Sequence, residues 1–245
     1  MHVLALDTTT EACSVALIVD ATAEGRGGRL RERFEIAPRR HAELVLPMVG
    51  SVLAEAGLAL RDVDAIAFGR GPGAFTGVRL AIAIAQGLAL GADRPVVPVS
   101  TLATLAQGAV ARRVAPGDRV LALIDARMGE VYAGAFAVDD EGLVRPLGDE
   151  RVLPPGVVAA PDGPFVAVGS GWDAHRDVLL ASWGRSPVAD DGDALPRAGD
   201  LARLAARELA AGRAQDAARA RPVYLRDKVA LTVDEQVAAR ALGSG

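Results

Sequence analysis

A chain of 245 residues and 25.2 kDa is long for one simple unit and short for two independent ones, which leaves one domain or two closely packed halves. With 51% apolar and 24% charged residues it can bury a sizeable core, so disorder is excluded as its main state. The balance of 27 basic against 31 acidic residues, a net charge of −4, excludes a nucleic-acid binder that works alone through bulk charge.

In chain order, His2 to Leu6 reads as a strand, Asp7-Thr8-Thr9-Thr10-Glu11 as turn chemistry and Ser14 to Val19 as a second strand. Leu30 to Ile36 mixes charged and apolar residues, the pattern of an exposed edge strand. His41 to Ala56 carries an amphipathic stripe at 44, 45, 48, 49, 52, 53 and 56, closed by Gly57. Asp64 to Phe68 predicts a short buried strand, Gly69 to Gly73 a glycine-rich turn, and Thr76 the cap of an apolar helix to about Leu90. Val96 to Val99 and Thr101 to about Arg112 complete a strand and a helix, before Ala115-Pro116-Gly117-Asp118 breaks the pattern. Leu121-Ala122-Leu123-Ile124-Asp125 then echoes Leu4-Ala5-Leu6-Asp7, followed by strands at Glu130–Ala137, Val144–Leu147 and Phe165–Val168. Helices are predicted near Asp173–Ser182 and Asp200–Gly212, with loops at 154–164 and 184–199.

The repeat of hairpin, third strand, helix, strand and helix predicts an α/β chain with mixed sheets flanked by helices. This is the duplicated ribonuclease-H-like order of the actin, heat-shock and sugar-kinase ATPase group, by fold analogy, which does not establish chemistry. The expected lobes are residues 1–112, carrying the partner-binding helices, and a degenerate copy at 113–245.

Rare residues remove several chemistries. Cys13 is the only cysteine, so an intrachain disulfide and a Cys-built metal site are excluded, and a reducing, cytoplasmic setting is expected. The one lysine, Lys228, follows no glycine run, so a Gly-Lys-Ser/Thr phosphate loop is absent. His2, His41 and His175 lie too far apart in sequence for a paired-His metal motif. No targeting or membrane segment is read: the longest apolar run, Leu80 to Ala92, falls short of the roughly 20 residues of a bilayer span and reads as a helix buried in protein.

Four features remain candidates. Asp7, Thr8 and Glu11, with Asp125 as their echo, stand where a duplicated ATPase would hold nucleotide phosphates and magnesium-bound water; turn capping is the competing and favoured reading, because Thr8-Thr9-Thr10 and Ala126-Arg127-Met128 lack the glycine that lets a backbone approach phosphate closely. A two-metal nuclease needs converging carboxylates, and the strand that should end in one ends in Gly69-Arg70-Gly71. Gly69-Arg70-Gly71-Pro72-Gly73-Ala74 matches a dinucleotide-loop spacing, yet Pro72 removes an amide donor the pyrophosphate needs. Finally, the helix over 76–90 is apolar on all sides and rich in small residues, which leaves a surface for a partner. The arginine-rich stretch Arg26 to Arg40 reads as solvated strand and loop rather than an RNA contact.

Leu4-Ala5-Leu6-Asp7-Thr8-Thr9-Thr10, His41-Ala42-Glu43, Gly71-Pro72-Gly73-Ala74-Phe75-Thr76-Gly77-Val78-Arg79, Asp125-Ala126-Arg127-Met128-Gly129-Glu130-Val131-Tyr132 and Pro222-Val223-Tyr224-Leu225-Arg226 together closely resemble the TsaB (YeaZ) family. The resemblance spans nearly the whole chain, although residues 140–215 carry little signature. It implies a non-catalytic subunit of the bacterial machinery that makes threonylcarbamoyladenosine (t6A) in tRNA, cytoplasmic, without cofactor or metal of its own. The implied partners are the catalytic paralogue TsaD and the ATPase TsaE, which would bring the metal and ATP; tRNA would be met only through the complex, and a homodimer would form when TsaD is absent. TsaD-like proteins carry a metal-binding His-x-x-x-His where this chain has Thr101 and Leu105, neither of which can ligate. The expected partner interface comes from residues 41–56 and 76–90, with His41, Leu44, Val45, Met48, Val52, Phe75, Thr76, Arg79, Ile82 and Ala83 as its members and no catalytic residue. The alternative is an actin-like ATPase or a glycoprotease-like peptidase acting alone.

Overall fold

The computed structural model describes residues 1–24, 27–110, 115 and 117–226. Arg26, the expected helix end at Arg112 and Lys228 lie outside them. The first sheet runs in the order β3 (Arg29–Ile36), β2 (Ala12–Val19), β1 (Val3–Asp7), β4 (Ala65–Gly69), β5 (Val96–Val99), with β1 antiparallel to β2 and parallel to β4. Helices α1 (His41–Ala56) and α2 (Phe75–Ala92) cover its outer face, and α3 (Thr101–Val110) leaves from β5.

The second sheet repeats that order as β8 (Val144–Pro146), β7 (Glu130–Val138), β6 (Arg119–Arg127), β10 (Phe165–Val168), β11 (Ala189–Asp191), with β9 (Arg151–Leu153) also on β7. Helix α4 (Ser170–Trp183) stands in the place of α2, and α5 (Ala198–Ala210) in that of α3. Where α1 should recur, the chain makes one 3-10 turn at Pro155–Val157. The duplicated ribonuclease-H-like architecture is therefore present, with the second copy one helix short.

Alternation along the first sheet sets the layering. Leu4, Leu6, Leu17 and Phe68 face α1 and α2, whereas Ala5, Ala16, Ala65 and Ala67 face inward. Small inward residues let α5 lie close on β1 and β2 through its own Ala202, Ala205 and Ala206. The start of α5 is capped from the first sheet, its Ala198 and Gly199 amides donating to Ser14 Oγ (2.9 Å) and Glu32 Oε1 (2.8 Å). Reciprocally, α3 rests on β6 and β7 of the second sheet. One apolar core thus spans both sheets, and a boundary at 112 separates each of these two helices from the sheet it packs on.

Several expected elements shift. Helix α2 begins at Phe75 with Ala74 as its N-cap residue, so Thr76 lies in its first turn and does not cap it. Strands β9 and β11 fall outside the sequence expectation, because each is three residues with none buried and no alternation to read. Helices α4 and α5 start at Ser170 and Ala198, earlier than their apolar patterns.

Candidate functional site

Between the lobes lies a cleft of about 1340 Å³, lined by Thr9–Glu11, Pro38, Arg39, His41, Pro72–Phe75, Val78, Arg79, Ile124–Met128, Tyr132, Ser170, Asp173, Ala174 and Val223–Arg226. The motifs that carry the family resemblance converge on it. Its first-lobe wall is closed rather than open. Asp7 Oδ1 accepts from the amide and hydroxyl of Thr9 (2.8 and 2.7 Å), Thr8 Oγ1 donates to Gly77 O (2.7 Å), and the Ala74 amide donates to Thr9 O (2.7 Å). A Cβ at Gly73 or Gly77 would collide with the carbonyl of Thr9 or Thr8, so glycine is required for this loop to seat on the β1–β2 turn.

Asp7 and Thr8 are consequently buried, and Asp7 Oδ2 has no hydrogen-bond partner. Burial pushes the Asp7 carboxyl up to about 6 against the lowering effect of its Thr9 hydrogen bonds. Of the three nucleotide candidates only Glu11 is exposed on the cleft; Asp7 and Thr8 are spent on the turn, the reading favoured for them over phosphate binding. The echo is built differently. Asp125 lines the cleft, accepts from the Arg127 amide (3.0 Å), and lies 3.4 Å from the Arg127 guanidinium and 3.8 Å from His175 Nε2.

The second-lobe hairpin places Arg127 (φ +63°) and Met128 (φ +56°) in the left-handed region, a costly conformation for non-glycine residues. Arg226 holds that turn from outside, donating to the carbonyls of Ala126 (3.2 Å) and Arg127 (3.5 Å) and pairing with Glu130. Two residues earlier Tyr224 stacks on Phe75 (centroids 6.2 Å apart), and the Arg79 guanidinium lies 3.3 Å over the Phe75 ring. The lobes are further tied by Glu150, which meets Arg70 (3.3 Å) and Ser100.

The ten expected interface residues divide four ways. Val45, Val52 and Ile82 are buried in the core beneath α1 and α2, so they support the sheet and cannot touch a partner; their inclusion is corrected. Leu44 and Met48 are half-buried against the same core. His41, Phe75 and Arg79 line the cleft, while Thr76 and Ala83 stand on the exposed outer face of α2.

That outer face is continuous. Leu80, half-buried, and Gly87 and Leu90, both exposed, join Thr76 and Ala83 at intervals of four, three, four and three residues, the spacing of a helix-pairing seam. On α1 the exposed Glu43, Pro47, Gly50 and Ala54 repeat it. Only 28% of α2 is buried, although its length and composition would suffice to cross a membrane; its inward side, Val78, Ala81, Ala85 and Ala89, packs on the sheet. The helix is therefore buried on its sheet side alone, and its outer side is open. Gly50 and Gly87 have nothing within 4 Å of a built Cβ, so nothing within the described residues demands glycine there. Leu80, Gly87, Leu90 and Gly50 lie within the expected spans 41–56 and 76–90 without being singled out there; the four-three spacing is the signal that marks them.

Among the described residues no group of three His, Cys, Asp or Glu side chains is placed to hold a metal ion. Thr101 is buried with its hydroxyl 3.2 Å from Thr9 Oγ1, and Leu105 is buried in the shared core. Cys13 is buried too, and burial pushes its thiol up to about 11.

The chain matches the family model described as TsaD, tRNA N6-adenosine threonylcarbamoyltransferase, over residues 34–232. It is 46% identical to the Escherichia coli tRNA threonylcarbamoyladenosine biosynthesis protein TsaB, covering 94% of this chain and 96% of that one. Against the Haemophilus influenzae protein of the same name it is 40% identical, covering 94% and 95%. The solved structure of YeaZ from Pseudomonas aeruginosa superposes with a TM-score of 0.81 at 49% identity, over 91% of this chain and 99% of that one.

Proposed function

The chain belongs to the TsaB family, and on that premise we propose that it is a non-catalytic subunit of the t6A-synthesis machinery, which binds, stabilises and orients the catalytic paralogue TsaD and works with the ATPase TsaE. The observation that carries this reading is the outer face of α2 with its neighbour α1. It is a largely exposed seam at helix-pairing intervals, apolar but for Thr76 and Glu43 at its ends, with glycine at Gly50 and Gly87 where a second backbone can come close. A glycine in a helix interior costs roughly 0.5–1 kcal/mol relative to alanine. A partner helix packed against that position is a physical reason to keep it.

A non-catalytic role is supported by the first-lobe wall. Where an ATPase would present amides and a carboxylate to phosphate, Asp7 and Thr8 are sealed under the Gly73–Gly77 segment. The positions where the paralogue's metal ligands would stand are a threonine bonded to Thr9 and a leucine in the core. ATP and metal then belong to the partner subunits, tRNA is met through the complex in the cytoplasm, and the same helix face pairs two copies of this chain when TsaD is absent.

Size-exclusion chromatography of the chain with TsaD and TsaE from the same genome, with and without ATP, tests the reading. Co-elution with TsaD is expected; three separate peaks under both conditions would refute it. Titration of the isolated chain with magnesium-ATP tests the ATPase alternative, which a sub-millimolar site would revive.

A further inference from the structure

We propose that a second cavity, between α3, β10–β11 and the start of α5, is a binding site for a small organic amine with an apolar body, its ammonium group set against Asp200. The cavity has a volume of about 670 Å³ and shares no lining residue with the interlobe cleft. That volume is in the range of small-molecule sites, which join apolar walls to a few placed polar groups. Leu105 and Ala109 of α3, Val166 and Val168 of β10, and Leu195 ahead of α5 supply the apolar walls. Asp200 is the buried polar group among them, its side chain only 9% exposed. Its Oδ1 accepts from the Arg203 guanidinium (3.2 Å), whereas Oδ2 accepts no hydrogen bond among the described residues. Gly108, also in the wall, keeps that oxygen open: a Cβ built there would lie 3.3 Å from Oδ2 and crowd its approach.

Charge selects a cation. Both guanidiniums in the wall are spent on carboxylates outside it, Arg197 on Glu32 (3.1 Å) and Arg119 on Asp162 (4.0 Å). Against these two the wall sets four carboxylates, Asp118, Asp190, Asp191 and Asp200. Asp190 is paired with Arg176 (2.7 Å), while Asp118 meets no cationic side chain among the described residues. An anionic guest would find carboxylates and no guanidinium to spare. Burial pushes the Asp200 carboxyl up to about 6 in spite of Arg203, so its charge is under-compensated where it stands. An ammonium ion on Oδ2 supplies that compensation through a charge-assisted hydrogen bond, which a neutral donor does only in part.

The test is calorimetric titration of the full chain at neutral pH with 3-phenylpropylamine. Controls are 3-phenylpropan-1-ol, which keeps the ring without the charge, 3-phenylpropanoate, which reverses the charge, and spermidine, which carries charge without the ring. Saturable binding of the amine is expected with a Kd on the order of 1 mM or below, as for so small a ligand. The alcohol should bind about tenfold more weakly or worse, and the carboxylate and spermidine more weakly still. Asp200→Asn keeps the shape and removes the charge; it should lower the amine's affinity about tenfold or more and leave that of the alcohol unchanged. Gly108→Leu, which fills the space beside Oδ2, should weaken both. No saturable binding of the amine, equal binding of any control, or undiminished binding by Asp200→Asn would each overturn the proposal. Neither variant lies on the α1–α2 face, so pairing of Asp200→Asn with TsaD reports on that reading separately.

Discussion

Replacing Gly87 by alanine separates what the folded chain needs from what a partner needs. Gly87 lies in the interior of α2, exposed, with nothing within 4 Å of the methyl that would be added. Alanine is favoured over glycine in a helix interior by about 0.8–1.0 kcal/mol. The variant should therefore be more stable than the natural chain by about 1 kcal/mol, a rise in Tm of about 2–4 °C for a chain of this size. Gly77→Ala is the opposite control. Its methyl would strike the Thr8 carbonyl, so it should cost more than about 2 kcal/mol. Thermal unfolding followed by circular dichroism at low micromolar concentration reads both values, and titration with TsaD reads the second property. The stabilised Gly87→Ala should pair less tightly, and Gly87→Leu less tightly still. If Gly87→Ala lowers the Tm of the monomer, read at a concentration where the chain elutes as one copy, glycine is needed inside the fold; if it raises Tm and leaves pairing intact, the seam is not where TsaD packs. Either result refutes the reasoning.

Asp7 carries a folded-state value of about 6 against an ordinary 3.8, so the folded chain binds the proton more readily than the unfolded one. Its contribution to stability should fall as pH rises from about 4 to about 6, by about 3 kcal/mol; urea unfolding at pH 5 and pH 7 should show this component missing in Asp7→Asn, and an unchanged pH dependence would contradict it. Asp200, also raised to about 6 by burial, acts in the same direction, so Asp7→Asn should flatten the profile without abolishing it. The buried Cys13 thiol should resist alkylation by iodoacetamide at pH 8 until denaturant is added, and rapid labelling of the native chain would show that it is accessible. Arg226→Ala removes the clamp on two left-handed hairpin residues, so hydrogen exchange at 125–130 should accelerate while that of α2 does not; uniform protection would show that the turn holds itself.

Elements with a regular burial pattern were legible from sequence. The stripe of α1 and its closure at Gly57 match the helix found, and the repeated strand ending in Asp7 and Asp125 marked the duplication. Strands β9 and β11 bury no residue that would mark them, whereas the equally short β8 buries Val144, which is why only the first two are hidden. The site was harder. An apolar residue on a helix reads the same whether it faces its own sheet or a partner, so Val45, Val52 and Ile82 were grouped with Ala83, although only Ala83 is exposed. Asp7 and Asp125 look equivalent in sequence; the glycines at 73 and 77, seventy residues away from the first turn, decide that one is sealed and the other open. Tyr224 belongs to a family motif, yet its meeting with Phe75 and Arg79 is a tertiary event across some 150 residues, for which the chain gives no local signal.

Calorimetric titration of TsaD into the natural chain and into Ala83→Asp tests the central claim most directly. Ala83 is exposed, so the variant should keep its circular dichroism spectrum. An unpaired carboxylate buried in a helix-to-helix seam should weaken pairing about a hundredfold or more. Equal affinity of the two proteins for TsaD would show that the outer face of α2 is not the surface through which this chain acts.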